Sequence, residues 1–348
     1  MMPRYITLLQ QLISTESYSR SEQASADILV RYLHENGVSP QRYANNVVVW
    51  SRQFNSDKPT LMLNSHHDTV KPAAGYTRNP FTPTIEEGRL YGLGSNDAGG
   101  SLVALIETFL RLENTDLPVN LVLALSAEEE VSGINGMRLL VNELEHIDMA
   151  IVGEPTQLKC AIGERGLVVL DCVATGKSGH AARHEGINAL YKAVDDIDRL
   201  RTLTFPATSA LMGPVNINVT GIQAGTQHNV IPDRCTFMVD IRTTDAYTNE
   251  QTVSLIQQSL TSEVTPRSTH IRAWATPDGH PLLNAVKAAG IETFLSPTTS
   301  DRALMPWPGI KIGPGDSARS HSADEYIYLD EIEQGIQTYI NIIKNINI

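Results

Sequence analysis

An α/β fold is predicted: a mostly parallel sheet built from both chain ends, with a smaller ferredoxin-like α+β unit inserted. Three observations predict it. The first third alternates helical and strand-like runs, which implies strands covered by helices on both faces. The middle third switches to half-buried alternating strands in the order βαββαβ, a two-layer unit. The tail then returns to the first texture. The boundaries read as 1–163 and 275–348 for the larger domain and 164–274 for the insert.

Taken in order, Ile6, Leu9, Leu12 and Ile13 have helical spacing. Residues 22–36 read as a helix that Gly37 stops. Asn46–Trp50 and Thr60–Asn64 are short apolar runs of strand length. Gly99–Leu112 is a helix with Leu102, Val103, Ile106, Phe109 and Leu110 on one face. Val119–Ser126 and Met149–Val152 are again strand-like. In the insert, Gly166–Ala174 is a strand and Ile187–Leu203 a helix that buries Leu190, Val194, Ile197 and Leu200. Val215–Ile222 and Arg234–Arg242 alternate as antiparallel strands do, Thr252–Ser262 is a second helix, and His270–Ala275 a last strand. A helix near Leu282–Ala289, a strand at Pro308–Ile312 and a helix over 329–345 complete the chain.

Composition bounds the function. At 348 residues the chain buries about 75% of its unfolded surface, so neither disulfide nor metal is needed merely to fold. Hydrophobic residues at 41% and charged residues at 19% exclude disorder. Lys plus Arg is 27 against 39 for Asp plus Glu, a net charge of −12 that argues against nucleic acid or an anionic membrane as partner. Cys160, Cys172 and Cys235 are too few for a disulfide framework and lack zinc spacing; a reducing cytoplasm suits them. The first residues do not form a signal peptide, and no apolar run approaches the roughly 18 residues of a membrane span.

Four strands run into polar residues. LMLNS meets His66-His67-Asp68, LVLALSA meets Glu128-Glu129-Glu130, MAIVG meets Glu154-Pro155, and IKIGPG leads by a short loop to His321. Ligands of open parallel sheets bind beyond the carboxyl ends of the strands, so these groups converge on one edge. A glycine-rich loop, Gly94 to Gly100, adds Asp97 at the start of a helix. Imidazole plus carboxylate without thiolate suits zinc, and a carboxylate can bridge two ions. Five candidate ligands exceed one tetrahedral site with an open position and suit two metals sharing a bridge. A further carboxylate must then take the proton of the attacking water. Each piece alone has an ordinary reading. Three glutamates commonly start a solvated helix, and Gly92-Leu93-Gly94 would open a dinucleotide loop were Asp97 not in its third glycine position. The pair His180/His184 is spaced for metal only on a helix, and flanking glycines favour a loop. Convergence of all five elements carries the case.

The motifs S-H-H-D-T-V, G-L-G-S-N-D-A-G-G, A-E-E-E-V-S-G, V-G-E-P-T, G-H-A-A-R, N-V-I-P-D and H-S-A-D-E-Y occur in that order along the whole chain. Together they resemble the dinuclear zinc amidohydrolases that include acetylornithine deacetylase, succinyl-diaminopimelate desuccinylase and carboxypeptidase G. The resemblance implies a catalytic metal-binding domain and an inserted lid and dimerisation domain. It implies that His66 is a ligand oriented by Asp68, that Asp97 bridges, that Glu154 binds the first metal, and that Glu130 and His321 bind the second. Glu129 resembles the general base. Two positions depart from the family pattern: His67 is a rival to His66, and Glu128 stands where relatives carry Asp.

In the insert, His180 looks like the histidine that reaches into a partner subunit's site and donates to the developing oxyanion. Asn229 resembles a lid residue that contacts substrate, and Arg242 resembles the arginine that pairs with a substrate α-carboxylate. The bland readings are a turn cap for Asn229 and a pair with Asp240 or Asp245 for Arg242. Thr298, Thr299, Ser300, Asp301, Arg302 and Lys311 fall near the expected pocket without an assigned role. The implied cofactors are two divalent ions, zinc foremost, with cobalt or manganese as alternatives. The implied reaction is hydrolysis of an N-acyl amino acid of the N-acetyl or N-succinyl ornithine, citrulline or lysine type. Arginine or lysine biosynthesis in the cytoplasm is its implied setting, and a homodimer through the insert its assembly. Rival readings are a di- or tripeptide exopeptidase of the same family, a non-catalytic zinc-binding homologue, and a nicotinamide oxidoreductase, which Asp97 disfavours.

Overall fold

The computed structural model describes residues 2–183 and 185–348; His184, which the sequence sets beside His180, lies outside them. The chain divides into two compact units. The first runs to Ile162 and resumes over Thr276–Leu295 and Ser300–Ile348; the second is Gly163–Ala275 with Ser296–Thr299.

The first unit is built on a largely parallel sheet. Its strands stand in the order Gln41–Tyr43, Asn46–Trp50, Asn120–Ser126, Thr60–His66, Met149–Val152, Gly309–Lys311 and Cys160–Glu164. The four from Asn120–Ser126 to Gly309–Lys311 are parallel, and antiparallel strands border them on both sides. Alternate residues of the parallel strands face two apolar layers. Leu61, Leu63, Leu121, Leu123, Ile151 and Ile310 pack with the helices Arg4–Ile13, Gln23–Glu35, Gly100–Leu112 and Leu329–Lys344. Met62, Val122, Ala124, Ala150 and Val152 pack with Met137 and Leu140 of the helix Met137–Glu143. Burial on both faces explains why these strands read as continuous apolar runs. Pairing of His66 with Ser126 and of Asn64 with Val152 brings the strand ends level, which sets the following residues on one edge.

The second unit carries strands Asn216–Ala224, Arg234–Thr243, Gly166–Thr175 and Glu263–Pro266 in that spatial order, all antiparallel. Helices Ala189–Thr202 and Asn249–Ser259 cover one face, where Val168, Leu170, Phe237, Val239 and Ile241 are buried with Ala193 and Ile256. This is the ferredoxin-like order, with one correction: the fourth strand is Glu263–Pro266, not His270–Ala275. The cause is Asp196, a fully buried carboxylate that accepts from the backbone N–H of Thr261 and Ser262 and from both hydroxyls. Those donors end the helix at Ser259 and start a strand at Glu263. Trp274 and Ala275 pair with Glu164 and Gly163 instead.

No helix of the described residues is long and apolar enough to cross a membrane. The three cysteines are buried and free.

Candidate active site

His66 ends its strand nearly fully buried. Its Nδ1 lies 3.0 Å from Asp68 O and 3.5 Å from Asp68 Oδ1, so Nδ1–H donates there and Nε2 is turned outward. Nε2 is 3.2 Å from Asp97 Oδ1 and 3.9 Å from Glu154 Oε1. The adjacent His67 points elsewhere. Its Nε2 donates to Asn45 O at 3.0 Å, and its Nδ1 accepts from Ser25 Oγ at 2.8 Å. Burial pushes its imidazole down to about 4, so it is a neutral strut between the strand end and the N-terminal helices.

The loop before the helix Gly100–Leu112 presents Asp97. Gly94 stands at φ +72°, and a Cβ there would sit 2.6 Å from Thr69 Cγ2; at Gly99 it would sit 2.3 Å from Gly94 O. Glycine is therefore required where the loop folds back on itself. The two oxygens of Asp97 divide between the histidines: Oδ1 faces His66, while Oδ2 lies 3.7 Å from His321 Nε2.

The glutamate run forms a tight turn. Glu128 has φ +55°, and its carboxylate accepts from the N–H of Asn135 at 3.2 Å and from Asn135 Nδ2 at 2.9 Å. It braces the loop and does not face Asp97. Asp68 accepts from the backbone N–H of Glu129 at 3.0 Å and of Glu130 at 3.2 Å, and from Ser19 Oγ at 2.7 Å. One carboxylate thus orients His66 and holds the turn that presents both glutamates. Both Glu130 oxygens lie 3.1 Å from His321 Nε2. Ligand atoms of His66, Asp97 and Glu130 fall within 4.8 Å of one another, as do those of His66, Glu129 and Glu154.

The electrostatics of this cluster favour cations. Burial first, and then the neighbouring carboxylates Asp97 and Glu130, push Glu154 up to about 8. Burial also holds Glu129 well above the ordinary carboxylate range, with Glu154, Asp301 and Glu130 adding repulsion. Burial opposes charge on His66, but hydrogen bonds to Asp68 and Asp97 and the charges of Glu129 and Glu154 hold it well above its usual value. His321 rises to about 9, chiefly through its hydrogen bond to Glu130. Asp97 goes the other way: burial opposes its charge, but the hydrogen bond to His66 and the His66 charge hold its carboxyl below the ordinary range. The raised values of Glu129, Glu154, His66 and His321 together mark a buried excess of negative charge that a cation would offset. Two imidazole nitrogens and four carboxylates are a hard-to-borderline donor set that fits divalent ions; His66 is common to both close groups of donors, and Asp97 lies between His66 and His321.

The insert residues lie in the second unit. His180 is exposed on the short strand Gly179–His180, opposite Val230, and its Nδ1 accepts from Ala182 N. Asn229 is exposed beside it, its carbonyl accepting from Ala181 N at 2.9 Å, so these two residues share one ribbon. Arg242 stands on the sheet face away from the helices. Its guanidinium donates to both oxygens of Asp240, at 2.9 and 3.1 Å.

Residues 62–345 match peptidase family M20/M25/M40. The chain belongs to this family. It is 28% identical to a succinyl-diaminopimelate desuccinylase of Delftia acidovorans, over 95% of both chains. It is 27% identical to an acetylornithine deacetylase of Proteus mirabilis, over 99% of this chain and 97% of the relative. An aminopeptidase PepT structure from Bacillus cereus has a TM-score of 0.79 at 17% identity, covering 99% of this chain and 98% of that one. The YXEP protein of Bacillus subtilis, a dinuclear metal-binding peptidase from the M20 family, has a TM-score of 0.74 at 15% identity, over 97% of this chain and 96% of that one. These structures share the fold. This M20 protein is an enzyme, a dinuclear metal-dependent amidohydrolase.

Two buried acids of this M20 member drew no role from the sequence. Asp301 accepts from Ser126 Oγ at 2.6 Å, and burial first pushes it up to about 7. Its charge reaches Glu129. Glu325 accepts from three backbone N–H groups of the Asp97 loop. Burial and the Asp97 charge push it up to about 8 against those bonds. Strand-end position offered no signal for either: Asp301 follows a Thr-Thr-Ser loop, and Glu325 lies inside the His321 motif.

Proposed function

We propose that the enzyme removes the acyl group from an N-acyl amino acid and releases the free amino acid. The observation that carries the reading is Asp97, with one oxygen toward His66 and the other toward His321. On this reading Asp97 bridges, His66 and Glu154 complete one ion site, and Glu130 and His321 complete the other. Two divalent ions, zinc foremost, would polarise the amide carbonyl and acidify a water. Glu129, held at the site by the Asp68–backbone bond, takes the proton of the attacking water and returns it to the amine nitrogen as the C–N bond breaks. Its raised proton affinity suits a group that must hold that proton between the two events. Asp68 keeps the His66 ring in the tautomer that leaves Nε2 free for metal.

In this reading the insert serves substrate. His180 donates from a partner subunit to the oxyanion. Asn229, its neighbour on the ribbon, contacts the substrate, and Arg242 exchanges Asp240 for the substrate α-carboxylate in a bidentate pair. An N-acetyl or N-succinyl derivative of ornithine, citrulline, lysine or diaminopimelate is the favoured class, supported by the deacetylase and desuccinylase relatives. The peptidase neighbours make a di- or tripeptide the second reading. A panel of these N-acyl amino acids, dipeptides and tripeptides, assayed for released α-amine with the zinc-loaded enzyme, separates them. Higher kcat/KM on the acyl amino acids is expected; higher values on the peptides select the second reading.

A further inference from the structure

The loop that presents Asp97 leaves regular geometry. Gly94 is left-handed, and Asp97 has φ −116° and ψ 99°. Backbone donors of such a segment must find partners outside a helical ladder. Ser95 N donates to Gly92 O at 3.1 Å. The other three donors converge on one side chain. Glu325 Oε1 accepts from Asn96 N at 2.8 Å and Asp97 N at 2.9 Å, and Oε2 accepts from Gly94 N at 3.0 Å. The carbonyl of Glu325 also accepts from Gly92 N at 2.9 Å. Glu325 is 2% exposed, so water cannot substitute for these bonds.

A second brace runs the opposite way. Asn96 Oδ1 accepts from Asp316 N at 3.0 Å, and Nδ2 donates to Asp316 O at 3.0 Å and Ser320 Oγ at 3.3 Å. Ser320 directly precedes His321. The Asp97 and His321 loops are therefore locked to each other at two points, Glu325 on one flank and Asn96 on the other.

We propose that Glu325 is a positioning residue that fixes the backbone of the Asp97 loop and thereby sets the affinity of both metal positions at once. The proposal rests on Asp97 as the bridging ligand. A carboxylate is the side chain that does this, since in its ionised form it is acceptor-only and offers lone pairs to all three N–H groups, and even when protonated both its oxygens keep acceptor capacity. An amide in its place keeps one oxygen, and its NH2 then faces a backbone N–H, leaving a buried donor unsatisfied.

The test compares wild type, Glu325→Gln, Glu130→Gln and Asp97→Ala, each titrated with Zn²⁺ against a chromophoric chelator, well below the melting temperature. Glu325→Gln is expected to weaken both zinc equivalents about 10–100-fold, the usual range for partners that orient ligands. Glu130→Gln is expected to weaken one. A merely structural Glu325 would lower the melting temperature and leave both affinities in place, and that result overturns the proposal. Loss of a single equivalent in Glu325→Gln overturns it too. If Asp97→Ala retains both equivalents, the bridging reading falls and the proposal with it. If Asp97→Ala loses both while Glu325→Gln loses neither, the Glu325 proposal falls alone. Amide exchange in chelator-treated wild type reads the same loop should Glu325→Gln not fold. Residues 94–97 are expected to exchange at least about 10-fold slower than an unstructured peptide, because their donors are already bonded. Exchange at the unstructured rate, slowed only by added Zn²⁺, overturns the proposal.

Discussion

Glu129→Gln preserves shape and removes the proton acceptor. The substitution also deletes a carboxylate that Glu154, Asp301 and Glu130 repel, so the metal-free fold is not expected to weaken. Loss of a general base costs about 10²–10⁴-fold in kcat. The upper part of that range is expected, because on the proposed reading the neighbouring Glu154 and Glu130 would hold the ions and could not take over the proton. A drop of about 10³–10⁴ corresponds to about 4–5.5 kcal/mol of transition-state stabilisation. Zinc content should stay at the wild-type level. Glu130→Gln is the control: its carboxylate faces His321, so about one of two zinc equivalents should be lost. The assay pairs elemental analysis with steady-state kinetics on the best acyl amino acid. Exchange of the two phenotypes would place the base one residue further on. Retention of more than a tenth of kcat in Glu129→Gln would remove it from proton transfer.

The metal-free protein should lose stability as pH rises from 6.5 to 9. Glu154, at about 8 in the fold against 4.5 free, and His321, at about 9 against 6.5, both keep a proton that the unfolded chain releases first. Melting temperatures across that range check the slope, and zinc, which needs deprotonated ligands, should flatten or reverse it; a rising slope without metal contradicts the electrostatics. Mixing Glu129→Gln and His180→Ala dimers, with subunit exchange verified, should restore about a quarter of wild-type activity if His180 serves the partner's site. No recovery in confirmed heterodimers puts it elsewhere. Arg242→Ala should depress kcat/KM on free α-carboxylates at least about 10-fold more than on the corresponding amides. Equal losses would leave Arg242 as the partner of Asp240 alone.

The site was legible because its residues stand at strand ends. An apolar run into a polar cluster marks a sheet edge, and that pattern picks out Glu154 and the clusters His66-His67-Asp68 and Glu128-Glu129-Glu130 without tertiary information; the choice of Glu129 and Glu130 within the glutamate run rests on the family resemblance. Asp97 needed its flanking glycines. The choice between His66 and His67 came only from family resemblance; the structure shows why, since His67 is held by Ser25 and Asn45, far away in sequence. Asp301 and Glu325 were opaque for the same reason: a buried carboxylate is defined by donors from other segments. The misread fourth strand has a local and a distant cause. Thr248 and Gln251 form a capping box that starts the helix at Asn249, a signal present in the sequence. Asp196, which ends that region, is 65 residues from Thr261.

The bridged centre is tested most directly by anomalous diffraction from crystals of the zinc-loaded enzyme. Two peaks about 3.5–4 Å apart are expected, with Asp97 between them, His66 and Glu154 on one and Glu130 and His321 on the other. A single peak, or two peaks that Asp97 does not join, would contradict it.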